Sequence, residues 1–170
     1  IFMKNLTRIL ALVLVFTMMV SSAAFAAKFT DVAEDSTYAE AVEVLSALGI
    51  INGYEDGTFK PDAVITRAEV VAVVNRLQGL SDTAKAAAGT SMYTDVATSD
   101  WFAGDVNLAS QMGIVSGDGN GLFRPNDQVK YEEAVKMMVA DLGYNHEYVM
   151  KQGGWPTGYV IEGATIGLTD

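Results

Sequence analysis

The chain of 170 residues contains no cysteine and one histidine, His146. The first absence removes disulfides, so stability has to come from packing. Together the two absences remove the usual sulfur and imidazole metal sites, and His146 has no serine partner of evident geometry. It sits in a loop-like stretch, Tyr144-Asn145-His146-Glu147, and reads as a surface residue. Basic side chains are also scarce, 11 against 21 acidic ones, for a net charge of −10. Such a field repels phosphate, which argues against nucleic acid and against an anionic membrane surface as partners.

One apolar stretch is long, and it comes first. Lys4 and Arg8 lead into a mostly apolar run from Ile9 to Val20, followed by the small-residue ending Ala24-Phe25-Ala26. This is the layout of a secretory signal peptide over 1–26, with Met3 as the initiator and an apolar run too short for a stable membrane span. A retained signal anchor is the alternative. Cleavage removes Lys4 and Arg8 and no acid, leaving nine basic against 21 acidic side chains and a net charge of −12. An exported chain without cysteine fits a bacterial exterior better than a small disulfide-stapled domain.

The rest is organised by a repeat. At an offset of 64 residues, Phe29-Thr30-Asp31-Val32 falls on Tyr93-Thr94-Asp95-Val96, and Gly49-Ile50 falls on Gly113-Ile114. At the same register Gly53, Gly57, Phe59, Pro61 and Glu69 fall on Gly117, Gly121, Phe123, Pro125 and Glu133. Repeats of this length call for units that lend one another an apolar face. A third unit begins near the end: Trp155 precedes Gly167-Leu168 as Trp101 precedes Gly113-Ile114. The organisation read from this is a signal peptide over 1–26, a first repeat over 27–78, a linker over 79–91 and a second repeat over 92–144. The start of a third, truncated repeat occupies 145–170.

Each repeat reads as helix, turn, helix. In the first, Ser36 or Thr37 is expected to cap a helix from Tyr38 to Leu48, with Ala41, Leu45 and Leu48 on its inner face and a left-handed Gly49 at its end. Glu55-Asp56-Gly57 then reverses the chain and Phe59 points back to the core. Thr66 and Glu69 form a capping box for a second helix carrying Val70, Val73, Val74 and Leu77, with Ile65 as a hydrophobic anchor before it. The second repeat predicts helices over 101–112 and 132–142, closed by Gly143. In the linker, a short helical turn is expected over 83–88.

Arg67 stands out from this structural reading. A cation in the first turn of a helix opposes the positive end of the helix dipole. An exposed arginine beside free helix N–H groups makes an anion site, since a guanidinium grips a carboxylate in two parallel bonds. The competing reading is a solvated arginine paired with a local acid such as Asp62.

The order F-T-D-V, then A-x-x-x-L-x-x-L-G-I-I-x-G-Y-x-D-G-T-F-x-P, then I-T-R-A-E resembles the S-layer homology motif almost position for position. The resemblance covers 29–77, 93–144 and the fragment from Gly153. It implies a mainly α fold, in which tandem helix-turn-helix repeats pack as a pseudo-threefold helical bundle with grooves between them. It also implies binding of a cell-wall polysaccharide, commonly one bearing pyruvylated N-acetylmannosamine, which holds exported proteins on the bacterial surface. A pyruvate ketal carries one carboxylate, and Arg67 is the group expected to receive it. Local attraction can prevail over the net charge because screening confines the unfavourable field to about 8 Å at physiological salt. Trp101, Trp155 and Tyr38 are candidate stacking faces for sugar, and Asp31 and Asp95 candidate acceptors for its hydroxyls. For Trp101 the alternative is a core role, and for the two aspartates a cap on the loop before the helix.

The second repeat departs from the motif. Tyr131 stands at the position of Arg67 and Lys130 at that of the capping Thr66, so its site is expected to be weaker or to read something different. No metal or other cofactor is expected: Glu55-Asp56-Gly57 and Asp118-Gly119-Asn120-Gly121 superficially resemble calcium loops but lack the glycine-six, glutamate-twelve spacing. No catalytic set is evident, because the acids are spread like a solvated face. Two functional alternatives remain open. One is a structural role by self-association in a surface layer. The other is that of anchor segment for a larger secreted hydrolase.

Overall fold

The computed structural model describes residues 29–169. The expected signal peptide lies outside the described residues. The described chain is mainly α, with seven α-helices, one short 3₁₀ turn at Ala87–Gly89 and no strand; an isolated antiparallel bridge joins Thr66 and Gln128. The helices are α1 (Ala39–Ala47), α2 (Arg67–Leu77), α3 (Ser81–Ala86), α4 (Ala103–Gln111), α5 (Tyr131–Asp141), α6 (His146–Lys151) and α7 (Thr157–Thr165). The chain divides into two compact units after Asp62. The division falls inside the first sequence repeat, so its second helix, α2, is folded with the second repeat.

In the first unit, Phe29, Val32 and Val42 form a small buried cluster with Ala39, Ile51 and Phe59 packed on it. The inner face of α1 is therefore set by Val42, while Ala41 and Leu48 are exposed and Leu45 is half-buried. That is one position round from the expected face, a rotation of about 100° on a helix of 3.6 residues per turn. The expected serine or threonine cap is also absent: Tyr38 is the N-cap without a side-chain bond, and the Ser36 hydroxyl is buried without a partner. Gly49 closes the helix at φ 71°, as expected.

The glycine turn is held by an aspartate distant in sequence. Tyr54 N–H donates to Thr58 O at 2.8 Å and Gly57 N–H to Tyr54 O at 3.0 Å, which forms a tight reversal. Asp31 then accepts from Phe59 N–H and Lys60 N–H, both at 2.7 Å, and Lys60 sits at φ 58°. A left-handed backbone at a residue with a Cβ costs about 1–2 kcal/mol, so the two carboxylate bonds hold a conformation that the chain would otherwise leave. The second unit repeats the device. Asp95 accepts from Phe123 N–H at 2.8 Å and Arg124 N–H at 2.7 Å, with Arg124 at φ 59°. The aromatic of the same F-T-D-V or Y-T-D-V segment lies under the turn, Phe29 against Phe59 at 5.6 Å and Tyr93 against Phe123 at 5.4 Å.

The core of the second unit joins Val70, Val71 and Val74 of α2 to Ala103, Val106 and Ala109 of α4, with Phe123, Val129 and Met137. Fully burying a valine is worth about 1.5–3 kcal/mol, so this cluster outweighs any single cap. Of the expected α2 face, Val70 and Val74 are buried, Val73 is half-buried and Leu77 is exposed; Ile65, the expected anchor, is exposed as well. Helix α5 turns its other side, Val135 and Val139, to Val149 of α6 and Tyr159 of α7 in a second cluster.

The expected linker is a packed element. Helix α3 and the turn after it lie against α4, at a point where Gly104 leaves no room: a Cβ there would be 1.9 Å from Ala84 O. Asn107, fully buried on α4, pins the chain beyond α3. Its amide donates to Ala87 O at 2.9 Å and to Thr90 O, and its carbonyl accepts from Met92 N–H at 3.3 Å. The expected loop around His146 is likewise helical, as α6, packed on α7. His146 is exposed, with Nδ1 2.7 Å from the Tyr159 hydroxyl. Gly158 repeats the close approach, since its Cβ would be 2.2 Å from Val149 O. Short helix, then tryptophan, then glycine three residues later is thus a recurring joint, at Trp101/Gly104 and again at Trp155/Gly158.

Candidate ligand-binding cleft

The capping box of α2 forms as the sequence predicts. Thr66 N–H donates to Glu69 Oε2 at 2.7 Å, and Glu69 N–H to Thr66 Oγ1 at 3.3 Å. The next donors of the helix are taken by the glycine turn of the second repeat: Arg67 N–H bonds Asp127 O and Ala68 N–H bonds Pro125 O, both at 3.0 Å. Val129 N–H returns a bond to Ile65 O at 3.1 Å. The free N–H groups expected beside Arg67 are therefore occupied. The docked loop gives the helix start its missing acceptors.

Arg67 itself is tied down, with its side chain only 14% exposed. Its Nε donates to Phe123 O and its Nη2 to Ser116 O, each at 3.1 Å. Its Nη1 lies 3.7 Å from Glu133 Oε1, so its acidic partner comes from α5. The guanidinium also sits 4.7 Å from the centre of the Phe123 ring, a cation–π distance. These contacts stitch α2 to the turn and the turn to α5.

Beside Arg67 opens a cleft of about 510 Å³, of the size of a small-ligand pocket. Its cations are Arg67, Arg124, Lys130 and Lys136, its acids are Asp118, Asp127 and Glu133, and Trp155 lines it as well. Arg124 is paired with Asp118 at 3.7 Å and with Asp127 at 3.5 Å. Asp118 accepts from Asn120 N–H at 2.8 Å and Leu122 N–H at 3.2 Å, and these bonds, the Asn120 one foremost, hold its carboxyl below the usual range. That is turn chemistry, and among the described residues no group of three or more His, Cys, Asp or Glu is placed to hold a metal ion. Lys136, from α5, donates to Ile114 O at 2.9 Å; burial lowers its pKa, and the charge of Arg67 adds to the effect.

Three of the eight residues singled out in the sequence meet in this cleft: Arg67, Lys130 and Trp155, the last 50% exposed. Lys130 is the N-cap of α5. Glu133 accepts from its backbone N–H at 3.0 Å, but an ammonium cannot accept in return, so half of the capping box survives. Asp95, Trp101 and Tyr131 do not line the cleft. Asp95 holds its turn, Trp101 is 62% exposed with its ring edge-on to buried Phe102, and Tyr131 is exposed. The core role considered for Trp101 thus belongs to Phe102. Asp31 and Tyr38 belong to the first unit, where Asp31 holds its own turn. The sequence reading missed Lys136, which stands where the first repeat has Ala72. Its signal was a lysine three residues after Glu133, on the same helix face, inside an otherwise apolar run.

Comparison with known families agrees with the motif. The S-layer homology domain family matches residues 28–71 and 93–135, about half of the chain, and the chain belongs to that family. Such domains are cell-surface anchoring modules, and the protein is an exported one of the bacterial cell surface. The chain is similar to a cell surface protein of Thermoanaerobacter kivui, 39% identical over 98% of this chain and 22% of that one. It is 40% identical to a surface layer protein of Brevibacillus choshinensis over 97% of this chain and 14% of that one. An amylopullulanase of Thermoanaerobacterium thermosulfurigenes is 33% identical over 62% of this chain and 5% of its own length. The chain thus spans about a fifth or less of the length of these relatives. Among the described residues no helix is long and apolar enough to cross a membrane.

Proposed function

We propose that the chain anchors an exported protein non-covalently to the bacterial cell wall by binding an acidic wall polysaccharide in the Arg67 cleft. The carrying observation is the cleft's composition: four cations face three carboxylates, with a half-exposed tryptophan at hand. In a protein with an acidic excess this is a local positive site, and a sugar chain with spaced carboxylates matches it. A pyruvate ketal supplies such a carboxylate on a compact sugar, and Trp155 offers the apolar face that sugar rings favour. The same cleft would serve a surface-layer subunit and a secreted hydrolase alike, since a surface layer protein and an amylopullulanase both match this chain over 62% of it or more.

Cosedimentation with purified wall sacculi tests the proposal, using the exported chain from residue 27. Bound protein should fall about tenfold or more when pyruvate is removed from the walls, the loss expected for a charge-assisted contact of about 1.5–3 kcal/mol. Undiminished binding to depyruvylated walls would overturn the reading. Sedimentation without any wall would instead identify self-association.

A further inference from the structure

The four cations of the cleft are not equivalent. Arg67 has a carbonyl oxygen at Nε and another at Nη2, and the Glu133 carboxylate lies beside Nη1. Arg124 has two carboxylates. Lys130 is exposed, where water screens its charge. Lys136 differs from all three. Its ammonium is partly desolvated and has one carbonyl partner, and among the described residues no carboxylate lies within ion-pairing distance. A partly desolvated charge without a counter-ion is unfavourable, and an anion brought beside it would relieve the cost.

We propose that Lys136, rather than Arg67, receives the ligand's carboxylate, and that Arg67 is a positioning residue that holds the cleft wall through Phe123, Ser116 and Glu133. This assignment rests on the reading of the cleft as a site for an acidic glycan. An ammonium has three donors; Ile114 O takes one, so two remain for a carboxylate entering from the cleft. Burial, with the charge of Arg67 adding to it, depresses the pKa of Lys136 in the free protein, and a bound carboxylate would oppose that shift by stabilising the charged form. Sequence comparison of the two repeats could not single out this role, since position 72 in the first repeat is alanine.

The test compares two probes, the methyl glycoside of pyruvate-ketal N-acetylmannosamine as its free acid and as its uncharged methyl ester, by titration calorimetry on the exported chain. The wild type should prefer the acid by on the order of tenfold. Lys136→Gln keeps an N–H donor for Ile114 O but removes the charge; its acid-to-ester preference should fall close to one with the ester still bound. Lys136→Arg should restore the preference. Arg67→Gln should weaken both probes together and leave their ratio unchanged, the signature of a positioning role. A thermal unfolding midpoint for each variant separates lost binding from lost fold, and a purely structural lysine would move that midpoint without changing the ratio. An undiminished preference in Lys136→Gln, or its loss in Arg67→Gln alone, would overturn the assignment while leaving the glycan reading intact. A wild type that binds neither probe would overturn the glycan reading itself.

Discussion

Gly104→Ala should destabilise the second unit by about 2 kcal/mol or more, although alanine is the better helix former. Intrinsic propensity favours the change by about 1 kcal/mol within a helix. Against it stands a Cβ placed 1.9 Å from Ala84 O and 2.7 Å from Ala84 C. These are backbone atoms of α3, so no side-chain rotation relieves the contact, and overpacking of this kind typically costs about 1–3 kcal/mol and sometimes more. The helices must separate, and the valine and alanine contacts of α4 with α2 loosen with them. Chemical denaturation should show the loss directly. A midpoint unchanged or raised would mean that α3 is not packed on α4 in solution and that residues 79–91 behave as the linker their composition suggests. The first repeat provides an internal contrast, because Glu40 stands at the equivalent position and is exposed.

Asp95→Ala should cost about 3 kcal/mol and lower the thermal midpoint by roughly 10 °C. The substitution removes both acceptors from the Phe123 and Arg124 N–H groups and releases Arg124 from its left-handed conformation. The effect should extend to ligand binding, since Phe123 O holds Arg67 and the turn forms a wall of the cleft. Asp95→Asn, with one oxygen kept, should be intermediate in both. A variant as stable as the wild type would show that the turn holds its shape without the carboxylate. The matching aspartate of the first unit adds a pH signature. Hydrogen bonding, foremost from Phe59 N–H, holds Asp31 below its ordinary value of 3.8, so its contribution is full above that value and is lost as pH falls through the lowered one.

The sequence made legible those features that depend on neighbours in the chain. The Thr66/Glu69 box, the Gly49 helix end and the reversal at Gly57 are local, and each stands in the structure as read. Features set by distant partners were harder. The roles of Asp31 and Asp95 depend on N–H groups 28 and 29 residues away. The aspartates appeared as candidate sugar acceptors because the sequence shows a carboxylate without showing what it holds. The free N–H groups expected at Arg67 were a local inference that failed for a tertiary reason, the docking of the second glycine turn on the start of α2. Residues 79–91 read as a linker with at most a short helical turn, yet their helix packs on α4 because Gly104, distant in sequence, leaves room for the Ala84 backbone. Lys136 left only the trace of its spacing from Glu133, because its importance lies in having no carboxylate at ion-pairing distance among the described residues, which only a three-dimensional arrangement reveals.

The central claim, that the cleft holds the wall glycan, is tested most directly by the two indole N–H resonances of the protein. Trp155 lines the cleft and Trp101 does not, so the second tryptophan is a built-in control. In a titration of the exported chain with soluble pyruvylated wall polysaccharide, monitored by ¹H–¹⁵N correlation spectra, the Trp155 indole signal should shift progressively and saturate while that of Trp101 stays in place. Saturable movement of Trp101 with Trp155 unchanged would put the glycan elsewhere on the molecule and contradict the account.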